Sequence, residues 1–373
     1  MRAYLLLFLL CSSMLGAAQN DAGVVKLGDL EMPASPAFML LDAVPTVIER
    51  PATARAFVLG IVNSVNQSGG LPQNYAVEFT PFWFFRHPHM TSLKYHGYNA
   101  TKDKQTPFSN ISKGALSMAV VQTHDSTYSR QNISFGLRTN LFTLKRREDI
   151  EALKAANYEL VGRLRDQQAR LVEYIGDLML SVENPELYKQ KVREFFEQEE
   201  LNHMDEKSRI ADILDRKPLL SLDVAGALNL AFQNQKFSSG SIGRAGAWLT
   251  AQYAQPFRLK NTEKENYLNV YVLMRYLNDE RETGQLAHYF DAGGKAEIEL
   301  HSFSFGYEYI WRKTSKANTF RSSGEIRYRI SEVLSISAAF GRNFGNTNNL
   351  IALLGLQWGF NTGNEQVAVM SPR

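Results

Sequence analysis

From Asn74 onward the chain alternates apolar and polar residues, segment after segment. In "NISFGLRTNL", Ile133, Phe135, Leu137 and Leu141 lie against Ser134, Gly136, Arg138 and Asn140. "LSLDVAGALNLAFQ" sets Leu220, Leu222, Val224, Leu228, Leu230 and Phe232 against Ser221, Asp223, Ala225, Ala227 and Asn229. "YLNVYVLMRY" places Leu268, Val270, Val272, Met274 and Tyr276 opposite Asn269, Tyr271 and Arg275. In "HSFSFGYEYIW", His301, Phe303, Phe305, Tyr307, Tyr309 and Trp311 oppose Ser302, Ser304, Gly306 and Glu308. "FRSSGEIRYRI", the run from Leu334 to Gly341 and "LIALLGLQWGF" repeat the pattern. Successive side chains on a strand leave opposite faces, so each run predicts a strand with one apolar and one polar face. Most runs span ten to fourteen residues. That is about twice the usual globular strand of ~5–6 residues. It matches the ~9–11 residues of a strand tilted across a bilayer, with some overhang.

Two regions break the pattern. Residues 19–52 are irregular and carry Pro33, Pro36, Pro45 and Pro51, and "TARAFVLGIVNSV" after them reads as a short helix or a strand. From about Arg147 to Asp215 the period turns helical, with Leu153, Leu160, Leu164, Leu171, Ile175 and Leu178 on one face. "SVENPEL" breaks that helix, Asn184 serving as N-cap and Pro185 as first helical residue of a second one. A helical hairpin inserted between two strands is the economical reading. Counted from Asn74, with 53–65 as an internal plug helix, the strands number ten. The segment 279–294 is long for a turn and leaves room for two more, giving a range of about 10–12. In the ten-strand count, the 145–217 insert and the 87–109 loop fall on the side opposite the termini.

Alternation alone fits either a soluble sandwich or a membrane barrel. The polar faces here are Ser, Gly, Ala, Asn and Gln with mixed charges, which suits a crowded barrel interior better than bulk water. Rings gather toward strand ends, at Trp83 and Phe85, Tyr309 and Trp311, Trp358 and Phe360, as in the aromatic girdles of membrane barrels. A closed barrel also leaves no open edge, which lipid requires. No segment reaches 18 consecutive apolar residues, so spanning helices are not expected.

Composition narrows the class further. With 41 basic and 38 acidic residues the net charge is +3, and no basic stripe interleaved with aromatics marks a nucleic-acid partner. A hydrophobic content of 44% argues against a disordered chain. "MRAYLLLFLLCSSMLGAAQ" reads as a secretory signal peptide, residues 1–18, with cleavage after Ala18. Cys11 lies inside it and is the one cysteine of the chain, so the exported protein is expected to hold neither disulfide nor thiol nucleophile. Export without disulfides is ordinary in a bacterial envelope. Asn66, Asn99, Asn110 and Asn132 begin N-x-S/T triplets that would suit a eukaryotic secreted protein instead.

"GLQWGF" resembles the C-terminal assembly signal of Gram-negative outer-membrane β-barrel proteins. That signal has a glycine, an aromatic or apolar residue three on, and an aromatic two further, and Gly355, Trp358 and Phe360 fill those places. Leu353 stands where that signal usually has a polar residue, and residues 361–373 follow it as a tail. The stretch from "SPAFMLLDAVPTVIERP" through "LPQNYAVEFTPFWF" also resembles the start of exported barrel proteins of unassigned function. The resemblance implies an all-β transmembrane antiparallel barrel in the bacterial outer membrane. It implies outer-membrane lipid and the barrel assembly machinery as partners. The expected organisation is an N-terminal periplasmic or plug segment over 19–72, a barrel over 73–360, and a helical hairpin over 146–216 within it.

Candidate chemistry is sparse. Glu78, Arg138, Asp223, Arg275, Glu308, Glu325, Arg327 and Arg329 are expected to face the lumen. There they form either a salt-bridged filling that keeps buried charges paired or a selectivity lining. "EELNHMDE" has Glu200 and His203 at the E-x-x-H spacing, but a di-iron bundle needs two such motifs. His87 and His89 lack a third metal ligand. His301 and Ser302 would point to opposite sides of a strand, and no G-x-S-x-G elbow is present. Thus no catalytic, cofactor or metal residue is assigned. The expected function is a narrow or gated channel, or a structural and docking barrel whose hairpin receives a protein or surface polymer. A barrel-embedded lipid-modifying enzyme and a soluble secreted β-protein are the alternatives. One reversal of phase remains: in "AEIEL", Glu297 and Glu299 share the ring face of "HSFSFGYEYIW". It is read as a strand leaving lipid near His301.

Overall fold

The computed structural model describes residues 24–26, 35–40, 56–63, 74–85, 87, 89–124, 129–176, 183–202, 216–233, 239–259, 265–280, 286–315, 317–331, 334–344, 350–360 and 366–368. In chain order these form β1 (Val24–Lys26), α1 (Pro36–Met39), β2 (Ala56–Asn63) and β3 (Asn74–Phe79). A loop follows with α2 (Ser92–Tyr95), β4 (Tyr98–Asn99) and β5 (Lys104–Gln105). Then come β6 (Ala115–His124), β7 (Ser129–Leu144), α3 (Arg147–Ile175) and α4 (Pro185–Asn202). The strands β8 (Leu220–Gln233), β9 (Ser241–Phe257), β10 (Asn266–Asp279) and β11 (Ala287–Leu300) continue the chain. The last are β12 (Phe303–Lys313), β13 (Asn318–Ser331), β14 (Leu334–Arg342), β15 (Leu350–Phe360) and β16 (Gln366–Ala368).

Twelve strands, β2, β3 and β6 to β15, pair antiparallel in sequence order, and β15 pairs with β2 to close the ring. β1 and β16 form a separate two-stranded ribbon. Two strands were missing from the ten-strand count. Residues 56–63 are not a plug helix but the first wall strand, so the barrel begins at Ala56 rather than 73. β11 fills the gap at 279–294, and a two-residue hairpin joins it to β12. His301, with φ of 52°, makes that turn in the left-handed region. The phase reversal in "AEIEL" is therefore a change of strand, not an exit from lipid. Ser302 sits in the turn, where its carbonyl accepts the Arg329 N–H, and is not a lumen residue.

The first missing strand inverts the parity of every connection up to residue 286. β2 starts and β15 ends at the same end of the barrel, since Ala56 pairs with Phe360. We name this the terminal end. Each antiparallel step reverses direction, so the 80–114 loop and the 145–219 insert both lie at the terminal end. This corrects their expected placement opposite the termini. The connections at the far end are short.

The insert holds two helices. α3 closes on Gly176, whose φ of 72° supplies the left-handed residue that ends many helices. α4 starts at Pro185, and the Asn184 side chain accepts the Leu187 N–H at 3.1 Å as its N-cap. The rest of the helical stretch expected as far as Asp215, residues 203–215, lies outside the described residues. So do the expected signal peptide and most of the 361–373 tail. Leu93 and Tyr98 pack on Ile150, Leu153 and Ala156, docking the 80–114 loop against the start of α3. The Gln105 side chain clasps the Lys145 backbone through two 3.1 Å hydrogen bonds. The terminal end thus carries a folded layer with a small core of its own.

Candidate functional site: the barrel lumen

The wall is inverted relative to a soluble protein. Along β10 the outward residues Leu268, Val270, Val272, Met274 and Tyr276 are exposed, while Asn269, Tyr271 and Arg275 are buried inside. On β12 the rings of Phe303, Phe305, Tyr307 and Tyr309 are exposed and Ser304 and Glu308 are buried. Ring pairs mark both ends of the outer wall. Phe303 stacks on Tyr328 at 4.5 Å near the terminal end, and Tyr309 on Phe320 at 5.5 Å toward the far end. The 11 residues of β12, at ~3.3 Å each and tilted ~40°, rise about 28 Å, of which the six steps from Phe303 to Tyr309 cover about 15 Å.

Inside, charges are paired across strands and, in two cases, along one strand. Arg138 bonds Glu78 at 2.5 Å, and Asn140 donates to Asp223 at 3.3 Å. Arg321 meets Glu308 at 2.7 Å, and Lys295 reaches Glu325 at 2.6 Å and Glu297 at 3.0 Å. Arg327 also binds Glu325 at 3.0 Å, and Arg329 approaches Glu299 at 3.8 Å. Asp291 is shared, at 2.7 Å each, by Arg275 and Arg312. Asp279 receives Arg244 at 2.5 Å. The structure places all eight singled-out charges on the inward phase of their strands and joins them in this way. Sequence reasoning missed Arg244, Asp279, Asp291, Lys295, Glu297, Arg312 and Arg321. Most of them stand on β9 and β11, where the alternation is weak, and their inward phase was their one signal. Of the expected assembly signal, Gly355 is buried and Trp358 exposed on β15, the strand that closes the ring.

A short piece of the chain occupies the lumen. Ala37, Met39 and Leu40 are buried against Trp248, Tyr271, Leu273, Leu277 and Ile310. The Ala37 N–H donates to Ser117 Oγ at 3.2 Å. At the other end of α1, Arg275 Nη1 donates to the Met39 carbonyl at 2.9 Å and Arg244 Nη1 to the Leu40 carbonyl at 2.7 Å. Cations suit a helix C-terminus, whose last carbonyls have no helical partner. Two glycines make room. A Cβ on Gly136 would lie 2.5 Å from Ser117 Oγ, 2.8 Å from Pro36 Cβ and 2.9 Å from the Ala37 nitrogen, and one on Gly246 2.3 Å from the wall's Leu277 Cδ2 and 3.2 Å from Leu40 Cδ1. The wall is thus shaped to the plug.

The base of the hairpin closes over the terminal mouth. Arg216 joins Asp149 at 3.3 Å and Glu265 at 3.5 Å, and Arg146 joins Asp149 at 3.1 Å. Lys217 reaches across β9 and β10 to Glu299 on β11. Beside it in the 80–114 loop, Lys113 donates to the Tyr95 carbonyl at 2.6 Å and to Asn110 at 2.7 Å. Burial, with Lys145 nearby, pulls its ammonium down to about 7. Lys154 on α3 moves the other way, raised by its hydrogen bond to Asp103.

No family model and no curated protein matches the sequence. Similar solved structures include the KdgM porin in complex with disordered oligogalacturonate, at 8% identity and a TM-score of 0.30, covering 66% of this chain and 94% of that one. Outer-membrane expressed OmpT of Vibrio cholerae is similar at 6% identity and a TM-score of 0.28, over 82% of this chain and 95% of that one. The Ralstonia pickettii toluene transporter TbuX is similar at 10% identity and a TM-score of 0.24, over 88% and 94%. Likeness at these scores assigns no activity, and the chemistry of the lumen has to be read from its own residues.

Among the described residues, no cluster of three or more His, Cys, Asp or Glu could hold a metal. His301 turns the β11–β12 hairpin, and the lumen charges are engaged with one another. The arrangement is a lumen of paired charges that holds residues 35–40 inside it.

Proposed function

We propose that this protein is a gated channel of the bacterial outer membrane, held shut by its own N-terminal segment. The observation that carries this reading is α1 inside the lumen, fastened by Arg244 and Arg275 and fitted to Gly136 and Gly246. Around it stands a closed antiparallel wall with apolar residues outside and charges inside, the polarity that lipid demands. The ring pairs at both ends and the "GLQWGF" motif on the closing strand support the outer membrane as its place. A channel only needs to move the plug, because β2 begins at residue 56 and α1 can withdraw without unpairing the wall. In this reading the terminal end faces the periplasm, and the folded hairpin layer lies there with it.

The test is conductance in planar bilayers of the full chain and of a variant lacking residues 35–40. The full chain is expected to be closed and the deletion to open steadily. Two silent proteins would sink the channel reading. Two proteins conducting equally would remove the plug from it.

A further inference from the structure

One group of lumen charges departs from the pairing of the rest. Glu78 is buried, and Arg138 Nη2 donates to its Oε1 at 2.5 Å, while its Oε2 has no hydrogen-bond partner. Asp223 is buried too. It accepts from Asn140 Nδ2 at 3.3 Å and makes no ion pair among the described residues. Arg138 stands diagonally between the two carboxylates. Its register partners are Ala225, two positions from Asp223, and Ala115, two positions from Ser117, which pairs in register with Glu78. Among the described side chains facing inward on β3, β6, β7 and β8, these three are the charged ones. Lys113, Lys145 and Lys217 flank the same strands from the loop and hairpin layer. Lys113 is bound to Tyr95 and Asn110 with Lys145 nearby, and Lys217 to Glu299. Two buried carboxylates thus share one guanidinium.

The trio stands at a mouth. β3 and β7 end, and β6 and β8 begin, at the terminal end. α1 lies against β6, β7 and β8 just beyond it, with Pro36 at Gly136 and the Ala37 N–H on Ser117. Ser35, at the near end of that plug, is buried, and its hydroxyl also has no partner. Farther in, the inward side chains of these strands are small and uncharged, among them Ala119, Asn132, Ser134, Ala225 and Asn229. When residues 35–40 leave, the space they vacate runs along this strip, and the trio is the charged group at its entrance. Carboxylates in contact with water are ionised at neutral pH, and the single guanidinium neutralises one of the two. An ionised carboxylate oxygen accepts and cannot donate, so Glu78 Oε2 calls for a cation. The remaining single negative charge suits a monovalent one. We propose that Glu78 and Asp223 form a site for a small monovalent cation, which makes the opened passage select cations over anions. This selectivity rests on the gated channel proposed for the barrel.

The probe is potassium against chloride, in planar bilayers, on the variant lacking residues 35–40. Under a potassium chloride gradient that variant is expected to pass potassium several-fold more readily than chloride. D223N leaves the Glu78–Arg138 pair intact, and E78Q leaves Arg138 an oxygen to donate to. Each removes one negative charge. Placed separately in the deletion variant, either should bring the potassium-to-chloride permeability ratio to about one or below. One serves if the other fails to assemble. A deletion variant that is open but indifferent to the ions, as it would be if Glu78 held a proton, overturns the site and leaves the channel standing. So does a potassium preference that survives both substitutions. A silent deletion variant overturns the channel, and the site with it.

Discussion

The two faces of β10 belong to one strand and obey opposite rules. Leu268, Val270, Val272, Met274 and Tyr276 are 42–55% exposed, whereas Asn269, Tyr271, Leu273, Arg275 and Leu277 are at most 1% exposed. Apolar side chains stand outside, and an arginine is sealed within. In water the outer face would forgo burial worth roughly 1.5–3 kcal/mol for each large residue. The inner face would still need partners for its charges. In a bilayer both faces are at home. The difference teaches that this wall is solved for two solvents at once, and that each face should fail in its own way when disturbed.

The largest effect is expected inside. Arg275→Leu removes a partner of Asp291 and a donor to the Met39 carbonyl. Breaking a buried pair costs ~3–5 kcal/mol, and urea unfolding followed by tryptophan fluorescence should show a loss of that order. The outer face is tested by Phe305→Arg, which puts a cation where a ring stands 47% exposed. A lipid-facing arginine costs ~2–4 kcal/mol near the midplane, so the compact unboiled gel band should weaken sharply. Ser304→Thr, one position away and inward, should leave that band unchanged. Equal bands for Phe305→Arg and Ser304→Thr would contradict the assignment of faces.

Next in size comes Gly136→Val, which crowds Pro36, Ala37 and the Ser117 hydroxyl that accepts the Ala37 N–H, and no charged side chain is among these nearest contacts. The barrel is expected to assemble, and the plug to sit less often, seen as new conductance in bilayers. Least disturbing is Tyr158→Cys, on the exposed face of α3. Folding should not change, and a membrane-impermeant maleimide should label the cysteine only after the outer membrane is breached. Labelling of intact cells would instead turn the terminal end outward.

The same two faces explain how much of the molecule was legible in the sequence. β10 and β12 show large apolar residues all along one phase and charged and polar ones breaking the other, so their direction and burial could be read directly. β2, "AFVLGIVN", is apolar in both phases apart from its glycine and last residue, and gives no period to count. β11 puts Ala292, Gly294 and Ala296 on its outward phase, too small to register as an apolar face beside Asp291, Lys295 and Glu297. Missing β2 reversed the side of the hairpin, because each strand inverts the next connection. The hairpin itself was readable from its leucine spacing and from Asn184–Pro185. A plug within 19–72 was expected, but not which residues form it, since four helical residues have no periodicity and the arginines that hold them lie more than 200 positions away. Their ion-pair partners depend on strand register, and the sequence alone leaves register open.

The membrane barrel stands or falls on which solvent the outer face of the wall meets. Cys11 is the chain's single cysteine and lies in the expected signal peptide, so single cysteines can be placed along β10 from Leu268 to Leu277 and spin-labelled. In reconstituted vesicles, labels at 268, 270, 272, 274 and 276 should be relaxed by oxygen and not by a water-soluble nickel chelate. Labels at 269, 271, 273, 275 and 277 should respond weakly to both. Strong relaxation of the even positions by the chelate would place that face in water and contradict the membrane barrel.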